Sequence, residues 1–294
     1  MARRGSMAAM PNATQVPDVT FHDGRTIPQL GLGVWQVPDD IAADAVRVAL
    51  EAGYRHVDTA RIYANERGVG EGIRASDVAR DDVFVTTKLW NSDQGDLDAV
   101  RPALEASLER LRFDAVDLYL IHWAAPARDQ FVASWTALVQ LHEEGLARSI
   151  GVSNFHEAHL ERVIEATGVV PAINQVELHP YFQQRELRAV HERLGIATQA
   201  WSPLGQGGEL LRDPVIAGIA EEVGGGVTPA QVVLRWHLQR GIVTIPKSQH
   251  AGRIAENFDV FGFELDERQL AAIDDLDRGP SGRIGPDPDH ANFA

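Results

Sequence analysis

With 294 residues, 44% of them hydrophobic and 23% charged, the chain has the makeup of a globular protein long enough to bury its own core. It contains no cysteine, which excludes disulfide frameworks, thiolate zinc sites, iron–sulfur clusters and cysteine nucleophiles together. A formal charge of −15 and a pI near 5.1 argue against nucleic acid or an anionic membrane as partner, so a phosphorylated ligand requires a local basic cluster.

In chain order, residues 1–16 read as a disordered leader: Arg3 and Arg4 are followed by Ala, Met, Ser, Asn and Pro, with no apolar signal-peptide region. No later stretch approaches the roughly 18 apolar residues of a membrane span, so a cytoplasmic protein is expected. Val19-Thr20-Phe21 and Thr26-Ile27 flank His22-Asp23-Gly24-Arg25, which predicts a hairpin with an Asp-Gly turn. From residue 30 onward, strand patterns fall at 30–33, 56–58, 83–88, 116–122, 149–153, 172–177, 197–202 and 243–245. The run Val116-Asp117-Leu118-Tyr119-Leu120-Ile121 is nearly all apolar, as a parallel strand covered on both faces should be. Amphipathic segments alternate with them at 39–52, 65–76, 97–111, 130–144, 156–167, 185–193 and 228–240. Thr228-Pro229-Ala230-Gln231 has the spacing of a capping box, and Asp213-Pro214 opens a helix over 214–223 that Gly224-Gly225-Gly226 closes.

Eight strands alternating with helices form either an open doubly wound sheet or a closed barrel. The open dinucleotide fold requires G-x-G-x-x-G after its first strand; Gly31-Leu32-Gly33-Val34-Trp35-Gln36 fails at the third glycine. Gly68-Val69-Gly70-Glu71-Gly72 lies within a helical pattern and reads as closely packed helix backbone. The expectation is therefore one (β/α)8 barrel over residues 17–294, its floor capped by the hairpin. No repeat or linker divides it.

In such barrels chemistry collects where strands end. Asp58 ends the second strand with Tyr63 in its loop; Lys88 ends the third and His122 the fourth; Ser153 and Asn154 end the fifth, Gln175 and Glu177 the sixth. Singly, each has a bland role as a cap, a wet hydroxyl or a solvated cation. Together they converge on one rim. Lys88 beside Tyr63 would favour the phenolate and lower the phenol's pKa from about 10. Asp58 would hold Lys88, and His122 would orient a carbonyl oxygen. None of these groups is a redox centre, so a hydride must come from a cofactor. The basic cluster stands after the last strand, where Ile245-Pro246-Lys247-Ser248 is followed by Arg253 and Asn257, suiting a phosphate monoester. A 2′-phosphate there implies NADPH over NADH.

The segments Gly53-Tyr54-Arg55-His56-Val57-Asp58-Thr59-Ala60 with Tyr63, Thr87-Lys88-Leu89-Trp90, Leu120-Ile121-His122-Trp123, Gly151-Val152-Ser153-Asn154-Phe155 and Ile245-Pro246-Lys247-Ser248 resemble the successive signatures of aldo-keto reductases. The short tail with Ser281-Gly282-Arg283 is most similar to the prokaryotic branch that includes the 2,5-diketo-gluconate reductases. The resemblance implies a catalytic tetrad of Asp58, Tyr63, Lys88 and His122, with Tyr63 as general acid. It also implies that Ser153, Asn154 and Gln175 hold the nicotinamide carboxamide and that Trp201 stacks on its ring. Ser202, Leu204 and Gly205 would follow the pyrophosphate, Lys247, Ser248 and Arg253 the 2′-phosphate, and Glu256 and Asn257 the adenine. Gly33, Val34, Trp35 and Asp58 would complete the cofactor contacts of NADPH/NADP+. Trp35, Trp90 and Trp123, with Tyr63 and His122, would wall a pocket for a small carbonyl substrate. A monomer is expected. Two stretches depart from the family's pattern: Ala124 stands where a proline usually follows Trp123, and Gln249-His250-Ala251-Gly252 separates Lys247 from Arg253.

Other motifs give less. His156-Glu157-Ala158-His159 is one residue short of H-E-x-x-H and reads as a solvated helix start; with His179 and His191 it offers no metal ligand set. Two rival readings stand beside carbonyl reduction. One is a non-enzymatic NADPH-binding redox sensor. The other is a sugar hydrolase in which Glu177 is one of two carboxylates, though no second appears at a neighbouring strand end.

Overall fold

The computed structural model describes residues 16–291 and 293, so the expected leader lies outside the described residues except for Val16. Strands β1 (Asp18–Thr20) and β2 (Thr26–Pro28) form the antiparallel hairpin, with Gly24 at φ +84° in its turn. Eight parallel strands follow in sequential order: β3 (Leu32–Gly33), β4 (His56–Asp58), β5 (Phe84–Leu89), β6 (Val116–Ile121), β7 (Ala147–Ser153), β8 (Ile173–Glu177), β9 (Ala197–Trp201) and β10 (Val243–Thr244). Parallel bridges Leu30↔Thr244 and Gly33↔Lys247 join the first strand to the last, with Gly31 N donating to Thr244 O (2.9 Å) and Gly33 N to Pro246 O (3.1 Å). The sheet is thereby a closed (β/α)8 barrel.

The apolar run of β6 is buried along its whole length because its two faces serve different cores. Tyr119 and Ile121 pack outward under the helices, while Leu118 and Leu120 point into the barrel. There they meet Ile173 and Val243 and, from below, Phe21 and Ile27 of the hairpin. The hairpin thus plugs the floor with two side chains.

The surrounding helices are α1 (Asp39–Ala52), α2 (Glu66–Ala75), α3 (Leu97–Leu111), α4 (Phe131–Glu143), α5 (Glu157–Thr167), α6 (Arg185–Leu194), α7 (Pro214–Val223), α8 (Pro229–Gln239), α9 (Ala251–Phe258) and α10 (Glu267–Asp274). Helix α1 buries Ala42, Ala45, Val46, Ala49 and Leu50, the 3–4 spacing of one stripe. Helix α2 is wedged between α1 and α3: a Cβ on Gly68 or Gly72 would lie 2.2 or 2.4 Å from a carbonyl oxygen of α1, and one on Gly70 2.2 Å from Leu111 O. The glycine run is helix backbone in contact, as its pattern predicts. The capping box at α8 is formed, with Thr228 Oγ1 accepting from Gln231 N and Gln231 Oε1 accepting from Thr228 N. The strand expected at 30–33 is shorter: only Leu32–Gly33 is laddered to β4, and Leu30 belongs to the seam with β10. Among the described residues no helix is long and apolar enough to cross a membrane.

Candidate active site

In-register pairing turns Gly33, Asp58, Lys88, Gln175 and Trp201 toward the barrel axis at the upper strand ends. The interior that is apolar at the hairpin is therefore polar at the rim. Lys88 is fully buried, and its Nζ donates to Asp58 Oδ1 (2.5 Å) and Thr59 O (2.9 Å). The other carboxylate oxygen of Asp58 accepts from Gln175 Nε2 at 2.7 Å. Tyr63, in a short 3-10 turn after β4, brings its hydroxyl within 3.5 Å of the same Lys88 Nζ. His122, just beyond β6, lies edge-on to Tyr63 and Trp90, with centroids 5.6 and 5.2 Å away. The four strand-end groups meet.

Their electrostatics differ from the sequence expectation in one respect. Burial, followed by the negative charge of Asp58, raises the Tyr63 phenol well above its usual pKa, so Lys88 does not bring it down toward neutrality. Desolvation outweighs an ammonium at 3.5 Å that is already committed to a carboxylate. Burial also lowers Lys88, against which Asp58 holds the proton on. His122 is lowered well below the usual imidazole value by burial and then by Lys88, which leaves it neutral at working pH.

The cluster opens into a cavity of about 960 Å³. Of the residues singled out in the sequence, Gly33, Trp35, Asp58, Tyr63, Trp90, His122, Trp123, Ser153, Asn154, Gln175, Trp201, Ser202 and Leu204 line it, as do Lys247, Ser248, Arg253, Glu256 and Asn257. Val34 does not: its side chain is buried in the sheet–helix core. Gly205 also lies outside the lining, below Leu210. Lys88 reaches the cavity only through Tyr63 and Asp58. Trp90 and Trp123 are nearly buried, whereas Trp35 is 42% exposed at the mouth.

The polar lining is ordered by its own bonds. Ser153 Oγ donates to Gln175 O (2.8 Å), and Asn154 Nδ2 donates to His122 O and Ser153 Oγ (both 3.0 Å). Trp201 Nε1 donates to Asn154 Oδ1 at 2.8 Å, which fixes the plane of the indole. At the far end Ser248 Oγ accepts from His250 N, shaping the turn into α9. Lys247 and Arg253 enter no ion pair among the described residues. Glu256 is engaged differently, accepting from Thr228 Oγ1 at 2.8 Å.

The tail after Gly279, expected from the sequence to help choose the substrate together with the loops around Trp35 and Trp90, does reach the cavity, but the sequence did not single out which of its residues do so. Phe293 stacks on Trp90 at 5.8 Å and meets Trp123 edge-on at 5.2 Å, and Gly285 and Pro286 also line the cavity. A single aromatic near the chain end carries no periodic signal. The expected solvated helix start at 156–159 is also corrected. His156 Nδ1 lies 2.9 Å from Asp289 Oδ1, and His159 is buried against Phe131 and Phe155 beneath the same tail. His156, Asp287 and Asp289 bring potential ligand atoms within 4.8 Å of one another.

A barrel whose strand ends carry this lysine–aspartate–tyrosine–histidine group beside a long basic-ended cavity defines a class of oxidoreductase. The chain belongs to the aldo/keto reductase family, whose model matches residues 28–278. It is 56% identical over 277 residues to an aldo-keto reductase of Mycolicibacterium smegmatis, covering 94% of this chain and 98% of that one. It is 50% identical over 272 residues to the methylglyoxal reductase DkgA of Escherichia coli, covering 92% and 96%. Among solved structures, a Gox0644 mutant in complex with NADPH superimposes with a TM-score of 0.89 at 52% identity, over 94% of this chain and 99% of that one.

Proposed function

We propose that this protein is an NADPH-dependent reductase of aldehydes and ketones in which Tyr63 is the general acid. The observation that carries the proposal is the line from the buried pair Asp58–Lys88 to the part-buried Tyr63, with the phenol facing a cavity that ends in two cations without an ion-pair partner among the described residues. Those cations fit the cofactor. In a chain of net charge −15, Lys247 and Arg253 stand beside Ser248 at the start of α9, a donor set suited to a phosphate monoester. Trp201 presents an oriented aromatic face, and Ser153, Asn154 and Gln175 offer amide and hydroxyl partners beside it. When bound, NADPH supplies the hydride that a carbonyl carbon accepts.

The protein's own groups handle the oxygen. Neutral His122 and Tyr63 hydrogen-bond it, and Tyr63 donates its proton as negative charge develops there. The phenolate so formed is stabilised by the Lys88 ammonium, which Asp58 keeps protonated and in place. The raised pKa of Tyr63 ensures that the proton is present throughout the neutral range. Trp35, Trp90, Trp123 and Phe293 select the substrate by shape, which favours small apolar or aromatic carbonyls, several of them accepted. In this reading residues 17–294 act as one catalytic domain in a cytoplasmic monomer.

The test follows NADPH oxidation against a graded carbonyl panel with the native protein and Tyr63→Phe. Turnover is expected to fall by about 10²–10⁴-fold in the variant, while NADPH binding, read from fluorescence quenching, stays unchanged. Tight NADPH binding with no turnover across the panel supports a redox sensor instead, and failure to bind NADPH overturns the proposal.

A further inference from the structure

Glu177 is a buried carboxylate that the chemistry above does not use. It ends β8 pointing inward, paired in register with Trp201 of β9. Its two oxygens accept consecutive backbone amides of the C-terminal segment, Ile284 N at 2.6 Å on Oε1 and Gly285 N at 2.7 Å on Oε2. His179 Nε2 lies 3.1 Å from Oε1 and closes the set. Main-chain bonds fix this crossing, because the side chain of Ile284 faces outward.

The anchored residues sit against the cavity. A Cβ on Gly285 would lie 2.5 Å from Trp201 Cη2, so backbone rests directly on the indole that Asn154 holds from its nitrogen. Beyond this point the segment runs to Phe293, whose carbonyl accepts from Asn91 Nδ2 at 2.8 Å and whose ring covers Trp90. One carboxylate therefore sets the register of a strap that touches Trp201 at one end and the tryptophan wall at the other.

We propose that Glu177 is a positioning residue for carbonyl reduction, acting through Ile284 and Gly285 to hold the C-terminal strap, Trp201 and Phe293 in their binding arrangement. The proposal rests on the reductase reading for its kinetic consequence, but the anchor can be read without turnover.

The experiment compares the full-length native protein with Glu177→Ala, Glu177→Gln and Gly285→Ala. Glu177→Gln keeps the side-chain volume and one acceptor, guarding against a variant that fails to fold. Gly285→Ala pushes the strap off Trp201, and also crowds Glu177 Oε2 at 3.0 Å, while keeping the carboxylate in the chain. Tryptic cleavage after Arg283 is followed by mass spectrometry, and kcat and KM are measured with benzaldehyde and NADPH. Glu177→Ala is expected to be cleaved about tenfold faster and to raise the benzaldehyde KM about tenfold, with kcat within about twofold. Glu177→Gln should fall between, and Gly285→Ala should reproduce the rise in KM. Native protection in Glu177→Ala overturns the anchor. Lost protection with unchanged KM overturns its link to the pocket, and a fall in kcat at constant KM assigns Glu177 to the chemistry. Absence of any carbonyl turnover sinks the reductase reading, while the proteolysis still tests the anchor.

Discussion

A lysine with no exposed surface keeps its charge only through its neighbours. For Lys88 these are a carboxylate oxygen, a backbone carbonyl and a phenol, and removing the lysine strands Asp58 inside the barrel. Lys88→Met is expected to cost about 3–5 kcal/mol in urea unfolding, the usual penalty for an orphaned buried charge. Asp58→Asn in the same chain should recover part of that loss, and a double variant no more stable than the single would sink the pairing account. At this scale the sequence was informative wherever a polar residue interrupted or ended an apolar strand, because period-2 geometry dictates which way such a residue points. That is why Asp58, Lys88, His122 and Gln175 were legible. The burial that raises Tyr63 was not, since it depends on walls contributed by distant segments. Glu177 was visible as a strand-end carboxylate, but its anchoring role, like the packing of Phe293, was hidden for a related reason: their partners lie 107 residues away along the chain in one case, and about 200 in the other.

Among the helices, boundaries written in caps and glycines were recovered to within a residue or two. Helix α10 was not anticipated, although Asp266 and Gln269 form a capping box as regular as that of α8. Its apolar stripe is short and the surrounding sequence is acidic, so periodicity alone did not mark it. The glycines of α2 permit a direct comparison. A methyl on Gly70 would press on the Leu111 carbonyl, whereas one on Gly218 of α7 would meet nothing within 4 Å. Gly70→Ala should destabilise the protein by about 1–3 kcal/mol, and Gly218→Ala should stabilise it by up to about 1 kcal/mol. Thermal melts of the two variants check both signs, and equal effects would contradict the wedge described for α2.

At the level of the whole molecule, imidazoles kept neutral inside it contribute to the dependence of stability on acid. Burial lowers both His56 and His191 to about 4, against about 6.5 in the unfolded chain. His191 Nε2 also faces the Asn174 amide at 2.9 Å, a bond that protonation removes. Between these two values the unfolded state binds more protons, so stability rises with pH across that interval. Each group therefore adds about 3 kcal/mol at and above neutrality that is lost progressively as pH falls from 6.5 to 4. Circular-dichroism melts of the ligand-free protein should show the loss, with a shallower slope in His191→Gln. A flat profile from pH 7 to 4 would refute the assignment.

The barrel seam ties together two events that would otherwise be separate. Residues 29–33 find their last strand partner only in residues 244–247, so a growing chain cannot complete the ring until residue 247 has left the ribosome. Lys247, which the proposed function assigns to the cofactor phosphate, is itself one of the bridging residues. In that reading, cofactor binding and ring closure meet at one residue. A bound dinucleotide would act as a bolt across the youngest joint of the fold, and amide exchange at Gly31, Gly33 and Thr244 should slow more than elsewhere in the sheet when NADPH is added.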